Sequence, residues 1–372
     1  MTAAVVVGAT SYVGQFVIQA LLDSDFEVMA VTRRPDVASI LLGHHLKRIV
    51  VVTPADAERA RGDVEAVINL AYVKAALPHR LRHETKALAK SVDRIAVSQR
   101  TPRVIHVSTV AVFGFDLRIP PIPMAAPRVK GNPYIETKAA TEELMCRAAE
   151  VGGYSLAIVR LGNVIGPGSP TWTASLAQRL LECRPVAYAD RLGFSNTTYV
   201  RNVAAYLVHL ARVSVDELNA FGHYHHHVEF AHRSWTEVLA PMEGTMGVNR
   251  RVVASAGRAQ EVSLRGQVFA LLRSLYRRTA GWYVRALLGR FPTWSWLGAL
   301  VSRLKASEDP LAHVRARAPL EDDQAFARIM EATTCVQPHV IRAWTPPVDF
   351  ETAIQQINHW LTCAGYVVRR NP

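Results

Sequence analysis

Short apolar runs recur down the first half of the chain, each separated from the next by a polar stretch with helical spacing. Residues 3–7 form the first run and enter a glycine; residues 15–22 follow, with Phe16, Val17, Ala20 and Leu21 on one helical face. Further runs are Glu27 to Thr32, Ile49 to Val52, Val64 to Ala71, Val104 to Val107 and Leu156 to Val159. Strands that are apolar on both faces and alternate with helices predict an α/β chain with a doubly wound parallel sheet.

Beyond Val159 the rhythm breaks. Residues 162–172 (GNVIGPGSPTW) read as a loop, 173–182 as a helix, and Tyr199 to Arg212 as a strand end leading into a helix. Phe350, Ala353, Ile354, Ile357, Trp360 and Leu361 repeat at helical spacing behind the start signal Pro346-Pro347. The pattern predicts a Rossmann domain over 1–163 with 192–215 returning to it, and a smaller, discontinuous C-terminal substrate lobe from 164–191 and 216–372. His223, His225, His226 and His227, with His232 nearby, suggest a metal at first sight. Alternate residues of a strand face opposite sides, so no metal is expected, and the run is read as a strand and turn at the lobe interface.

Composition adds a constraint. The chain has 372 residues, 49% of them hydrophobic, and a formal net charge of +12. Such charge invites a nucleic-acid reading, but no nucleic-acid-binding module is present, and the excess is local. From Val262 to Ser307 there is no Asp or Glu, while Arg265, Arg273, Arg277, Arg278, Arg285, Arg290, Arg303 and Lys305 all fall there. Segment 262–307 interleaves these cations with Trp282, Trp294, Trp296 and a stripe of Val268, Leu271, Leu272 and Leu275. Its longest uncharged run, Phe291 to Ser302, is shorter than the roughly 20 residues a spanning helix needs. The segment is expected either to lie on an anionic membrane surface or to pack on the substrate lobe. Cys146, Cys183, Cys335 and Cys363 fit neither a disulfide framework nor zinc spacing, and Met1 leads straight into an apolar strand without a signal-peptide pattern. The setting expected is cytoplasmic, with peripheral attachment to the inner face of the membrane left open, as is a homodimer.

Gly8-Ala9-Thr10-Ser11-Tyr12-Val13-Gly14 lies where a strand turns into a helix. There a dinucleotide pyrophosphate can approach bare backbone and meet a helix N-terminus. The second strand ends in Thr32-Arg33-Arg34, where NAD binders commonly carry an acid for the ribose 2′-hydroxyl and NADP binders an arginine for the 2′-phosphate. NADP(H) is therefore favoured over NAD(H).

Ser108-Thr109 closes the strand that begins at Val104, and Tyr134-Ile135-Glu136-Thr137-Lys138 follows. Here the chain resembles the extended short-chain dehydrogenases/reductases, NAD-dependent epimerase/dehydratase-like, whose strand-end Ser/Thr and Tyr-x-x-x-Lys form the catalytic set. VVVGATSYVG, VIHVSTVAVFG, NPYIETKAATEEL, IVRLGNVIGPG, TYVRNVA and WTPPVDFETAIQQINHW stand in the family's order. The resemblance implies catalysis by Thr109, Tyr134 and Lys138, the last also holding the nicotinamide ribose. A Tyr and a Lys four apart share a helical face, so the ammonium is expected to lower the phenol's pKa. The cofactor site implied takes in Gly8, Thr10, Ser11, Tyr12, Val13, Gly14, Arg33, Arg34, Leu70, Ala71, Tyr72, Ser108, Lys138 and Leu161. Val110, Ala111, Asn163 and Ser195 are expected at the substrate. Two departures stand out: Ser11 replaces the family's usual middle glycine, and no Asn lies between Asn69 and Asn132 to support the proton relay.

Val110-Ala111 follows Thr109 where sugar 4,6-dehydratases carry Asp-Glu, and neither side chain can do acid–base work. An oxidoreductase or epimerase acting by hydride transfer on a nucleotide-linked or lipid-linked sugar is expected. Tyr199-Val200-Arg201-Asn202-Val203-Ala204 also resembles 3β-hydroxysteroid-dehydrogenase-like members, which leaves a hydrophobic alcohol as an alternative. A non-catalytic NADP-binding regulatory protein is the third reading.

Overall fold

A computed structural model describes residues 2–46, 48–73, 78–114, 132–187, 192–252, 326–327, 329–342 and 344–367. The basic segment 262–307, and with it the expected membrane contact, lies outside the described residues.

The strand–helix alternation expected from the sequence holds. In chain order the elements are β1 (Ala3–Val7), α1 (Tyr12–Asp23), β2 (Glu27–Val31), α2 (Pro35–Leu41), β3 (Ile49–Val52), α3 (Pro54–Arg59), β4 (Ala66–Asn69), α4 (Pro78–Ser98), β5 (Arg103–Thr109), α5 (Pro133–Gly152) and β6 (Ser155–Leu161). There follow β7 (Asn163–Ile165), α6 (Ser175–Leu181), β8 (Pro185–Ala187), β9 (Thr197–Tyr199), α7 (Val200–Arg212), α8 (Val215–Phe221), β10 (Tyr224–His227), α9 (Trp235–Met246), β11 (Arg251–Val252) and α10 (Phe350–Cys363). Seven strands make one sheet in the order β10-β6-β5-β4-β1-β2-β3, with every pairing parallel. The order departs in both directions from β1 and β4, so the crevice between them opens at the carboxyl ends of the strands, where such sheets take ligands.

Local chemistry fixes the helix starts that matter. The Ser11 hydroxyl accepts from the Gly14 amide to cap α1, and Asn132 accepts from the amides of Tyr134 and Ile135 to cap α5, with Pro133 in its first turn. Gly153, at φ +71°, ends α5 in the left-handed region.

One core lies under α1 and α7 and another under α4 and α5, on the two faces of the sheet. A third joins Ile165, Leu176, Tyr199, Trp235, Met242, Met330, Phe350 and Ile357 into a second lobe, with the short parallel pairs β7–β9 and β8–β11 beside it. Two sequence expectations need correction. The lobe boundary at 216 cuts off β10, which belongs to the main sheet, and the histidine run is the sheet's edge strand rather than a strand at the lobe interface. His225, His226 and His227 are all buried, each beside a polar partner: Tyr206, Arg160 and Thr198 respectively.

Candidate active site

The two glycines of the first turn are there because nothing else fits. Gly8 sits at φ +86°, and a Cβ on it would come within 2.8 Å of the Ala71 backbone nitrogen. A Cβ on Gly14 would meet the Gly8 carbonyl oxygen at 2.7 Å. Ser11 is compatible with this turn because its hydroxyl turns inward to cap the helix. The amides of Tyr12 and Val13 then open the first turn of α1, whose donors a helix cannot satisfy itself. The Tyr12 side chain turns the other way: its hydroxyl donates to the Pro167 carbonyl at 3.2 Å, and its ring packs on Phe16.

Neighbouring strand ends complete the edge. Thr10 and Thr32 approach within 3.4 Å through their hydroxyls, tying the glycine turn to the end of β2. Arg33 and Arg34 extend from there, both exposed. Leu70 donates its amide to Val7 and Ala71 donates to the Asn69 side chain, which sets the backbone of 70–72 against Gly8.

At the end of β5 the Thr109 hydroxyl accepts from the Ala111 amide at 3.2 Å, capping a single 3-10 turn over Val110–Phe113. The same side chain acts on the Tyr134 phenol, favouring its charged form. The Tyr134 ring meets that of Tyr72 edge-on at 5.2 Å and keeps 39% of its surface exposed. Lys138, one turn further along α5, is buried; its Nζ donates to the Val107 carbonyl at 3.0 Å and stands 5.6 Å from the centre of the Tyr72 ring. Burial draws the Lys138 ammonium down to about 8, with the Glu142 carboxylate pulling the other way. Burial also raises the Tyr134 phenol; the Thr109 side chain opposes the rise and Tyr72 adds to it. The expected lowering by Lys138 is not what prevails, because desolvation dominates at the phenol and the ammonium is engaged by Val107.

Other expected residues fall elsewhere. Ser108 is buried and its hydroxyl donates to Glu142 at 2.5 Å, away from the crevice of the glycine turn. Ser195 is fully buried with its hydroxyl 2.9 Å from that of Thr197, and the Asn163 amide donates to the Ser195 carbonyl at 2.7 Å. These two residues stitch β7 to the segment entering β9. Leu161, paired with Thr109 across the sheet, is buried. Val110 is buried against Val228, Ala231 and Val336, and Ala111 is half-buried.

Three buried polar residues close to the site escaped the sequence reading. His106 shares a 3.0 Å hydrogen bond with Asn69, and burial, reinforced by Lys138, depresses it to about 3. Glu142 and Arg160 form an ion pair at 2.7 Å with side chains 2% and 0% exposed. The available signal was a charge inside the apolar run of β6 and an acid one turn after Lys138. Among the described residues no cluster of His, Cys, Asp and Glu is arranged to hold a metal, and no helix is long and apolar enough to cross a membrane.

A model of the NAD dependent epimerase/dehydratase family matches residues 4–218. The chain is 23% identical over 214 residues to the dTDP-6-deoxy-L-talose 4-dehydrogenase (NAD(P)(+)) of Kitasatospora kifunensis, covering 53% of this chain and 64% of that protein, so it spans less than two thirds of that relative. The UDP-glucuronic acid 4-epimerase of Bacillus cereus, solved with UDP-glucuronic acid and NAD, superposes with a TM-score of 0.53 at 17% identity, covering 68% of this chain and 87% of its own. The UDP-N-acetylglucosamine 4-epimerase of Methanobrevibacter ruminantium gives 0.54 at 17% identity over 77% and 99%. At these identities the structural likeness is one of fold.

Proposed function

We propose that this chain, which belongs to the NAD-dependent epimerase/dehydratase family of extended short-chain dehydrogenases/reductases, moves a hydride between NADP(H) and a secondary alcohol or ketone of a nucleotide-linked sugar. The observation that carries the reading is the Tyr134 phenol lying beside Thr109 at the carboxyl end of β5, with Lys138 buried one turn away. The nucleotide sugars named for the relatives support the substrate class.

The residues present fit a dinucleotide. The Gly8–Gly14 turn, whose two glycines are required by close packing against the chain's own backbone, would present the first-turn amides of α1 to the pyrophosphate. Lys138 holds the nicotinamide ribose, and Arg33 and Arg34 take the 2′-phosphate. A bound nicotinamide supplies the hydride acceptor or donor. Tyr134 manages the proton: it takes one from the substrate hydroxyl in the oxidative direction and returns it to the carbonyl oxygen in the reductive one. Thr109 is placed to hydrogen-bond the same oxygen, and burial, by raising the phenol, keeps Tyr134 protonated near neutral pH. Val110 and Ala111 offer no acid or base for eliminating water, which argues against a 4,6-dehydratase.

The test is incubation with NADP+ or NAD+ and a panel of UDP- and dTDP-hexoses. A net absorbance change at the reduced nicotinamide band identifies a dehydrogenase, and inversion at C4 by NMR without net change identifies an epimerase. Absence of both changes with every sugar would sink the substrate class. NADPH is expected to bind more tightly than NADH. Replacing Arg33 and Arg34 with alanine is expected to weaken NADPH roughly 10–100-fold, in line with about 1.5–3 kcal/mol for hydrogen bonds to charged groups. NADH affinity should stay within about twofold. Fluorescence titration of both cofactors reads the difference, and equal losses would remove the arginines from the site.

A further inference from the structure

Behind the strand that carries Thr109 lies a charged pair that the proposed reaction leaves unused. Glu142 follows Lys138 by one turn of α5 and is 1% exposed. Its Oε1 accepts from the Ser108 hydroxyl at 2.5 Å and from Arg160 Nε at 3.1 Å, and its Oε2 accepts from Arg160 Nη2 at 2.7 Å. The Arg160 guanidinium is flanked by the rings of Phe113 at 4.8 Å and Tyr224 at 4.3 Å. Stability alone is a poor reason for such a pair, since apolar residues of similar volume generally serve as well. Its placement supplies a better one: Ser108 precedes Thr109, and Phe113 ends the turn that Thr109 caps.

We propose that Glu142, braced by Arg160, is a positioning residue for Lys138: its carboxylate clamps α5 to β5 through Ser108 and sets a negative charge one turn from the buried ammonium, so that Lys138 meets the nicotinamide ribose as a cation. The inference rests on the reading above that Lys138 holds that ribose. The groups around Lys138 are His106 from β5, Tyr72 after β4, and Tyr134 and Glu142 from its own helix. Around Glu142 stand Ser108, Arg160 from β6, Cys146 on α5 and Tyr224 from β10, with His226 of β10 next to Arg160. Burial and nearby cations hold His106 at about 3 and His226 at about 4, so both are neutral near pH 7 and leave the charge balance to Lys138, Glu142 and Arg160. Desolvation has already drawn Lys138 down to about 8 against the pull of Glu142. Without that carboxylate the ammonium loses its proton at a lower pH.

The test uses the double variant E142Q/R160M, which removes both charges of the pair together. NADPH and NADH affinities are titrated by fluorescence from about pH 6 to about pH 9.5 for wild type, the double variant and K138M, with thermal melts alongside. Wild-type affinity is expected to fall as pH rises past about 8, the double variant to fall about one unit earlier and so bind about fivefold more weakly at pH 8, and K138M to show no break. If the double variant does not fold, E142Q/R160Q is read the same way, because it removes the same two charges and leaves two amides able to hydrogen-bond each other and Ser108. A folded variant that keeps the wild-type affinity and break would overturn the inference, as would a break that survives in K138M. A chain that binds neither cofactor at any pH would instead refute the functional reading, and this inference with it.

Discussion

Replacing Tyr134 with phenylalanine is expected to cut hydride turnover by about 10²–10⁴-fold, the loss typical of removing a general acid. The ring remains, so its edge-on contact with Tyr72 and the capping of α5 by Asn132 are preserved. Only the hydroxyl beside Thr109 is lost. Dinucleotide affinity, set by the glycine turn, Lys138 and the arginines, should stay within about twofold. Turnover and binding are measured separately, by single-turnover absorbance and by fluorescence titration. A variant that kept more than about a tenth of the rate would place the proton on another group.

The second large effect is on stability in acid. His106, His225 and His226 are buried, and burial depresses them from 6.5 to about 3, about 3 and about 4. Their imidazoles are neutral in the folded chain at pH 5.5, while an unfolded chain takes up protons as pH falls through about 6.5. Protons bound only by the unfolded state lower stability as pH falls. Three such groups amount to about 4 kcal/mol lost between pH 7.5 and 5.5, with the decline continuing toward their folded values. Urea midpoints across that range measure it. His225→Gln should flatten the decline by roughly a third; a stability profile level from pH 7.5 to 5.5 would show that these histidines are not buried as neutral groups.

How far each feature could be read in advance follows from what kind of contact creates it. The strand–helix alternation and the glycine turn at Gly8 and Gly14 are local in sequence, and Thr109, Tyr134 and Lys138 carry a recognisable spacing; the glycine turn and Thr109 follow the carboxyl ends of β1 and β5. Asn202 and Val348 are partners 146 residues apart, and Glu142 and Arg160, 18 apart, lie on a helix and a strand whose packing no local pattern sets, so nothing in either residue alone announces the other. The histidines of β10 mislead for a related reason. Imidazoles read as polar, yet each is buried once Tyr206, Arg160 or Thr198 meets it. Ser195 sits where a substrate contact was expected, but the parallel pairing of β7 with β9 draws it inside.

The edge strand β10 carries a consequence for how the chain matures. Its outer side is met by His339, which exchanges both backbone hydrogen bonds with His226 at 2.8 and 2.9 Å. The Asn202 side chain likewise donates to the Val348 carbonyl and accepts its amide across 146 residues of sequence. During synthesis from the N-terminus, all seven strands have therefore left the ribosome before the residues that cover their edge and complete the second core have been made. A nascent chain paused at that stage lacks the His339 pairing on that strand, and an unpaired strand edge recruits strands from other chains. Yield in the cell should accordingly respond to chaperone supply, and truncation before residue 329 should give aggregates rather than a smaller folded protein.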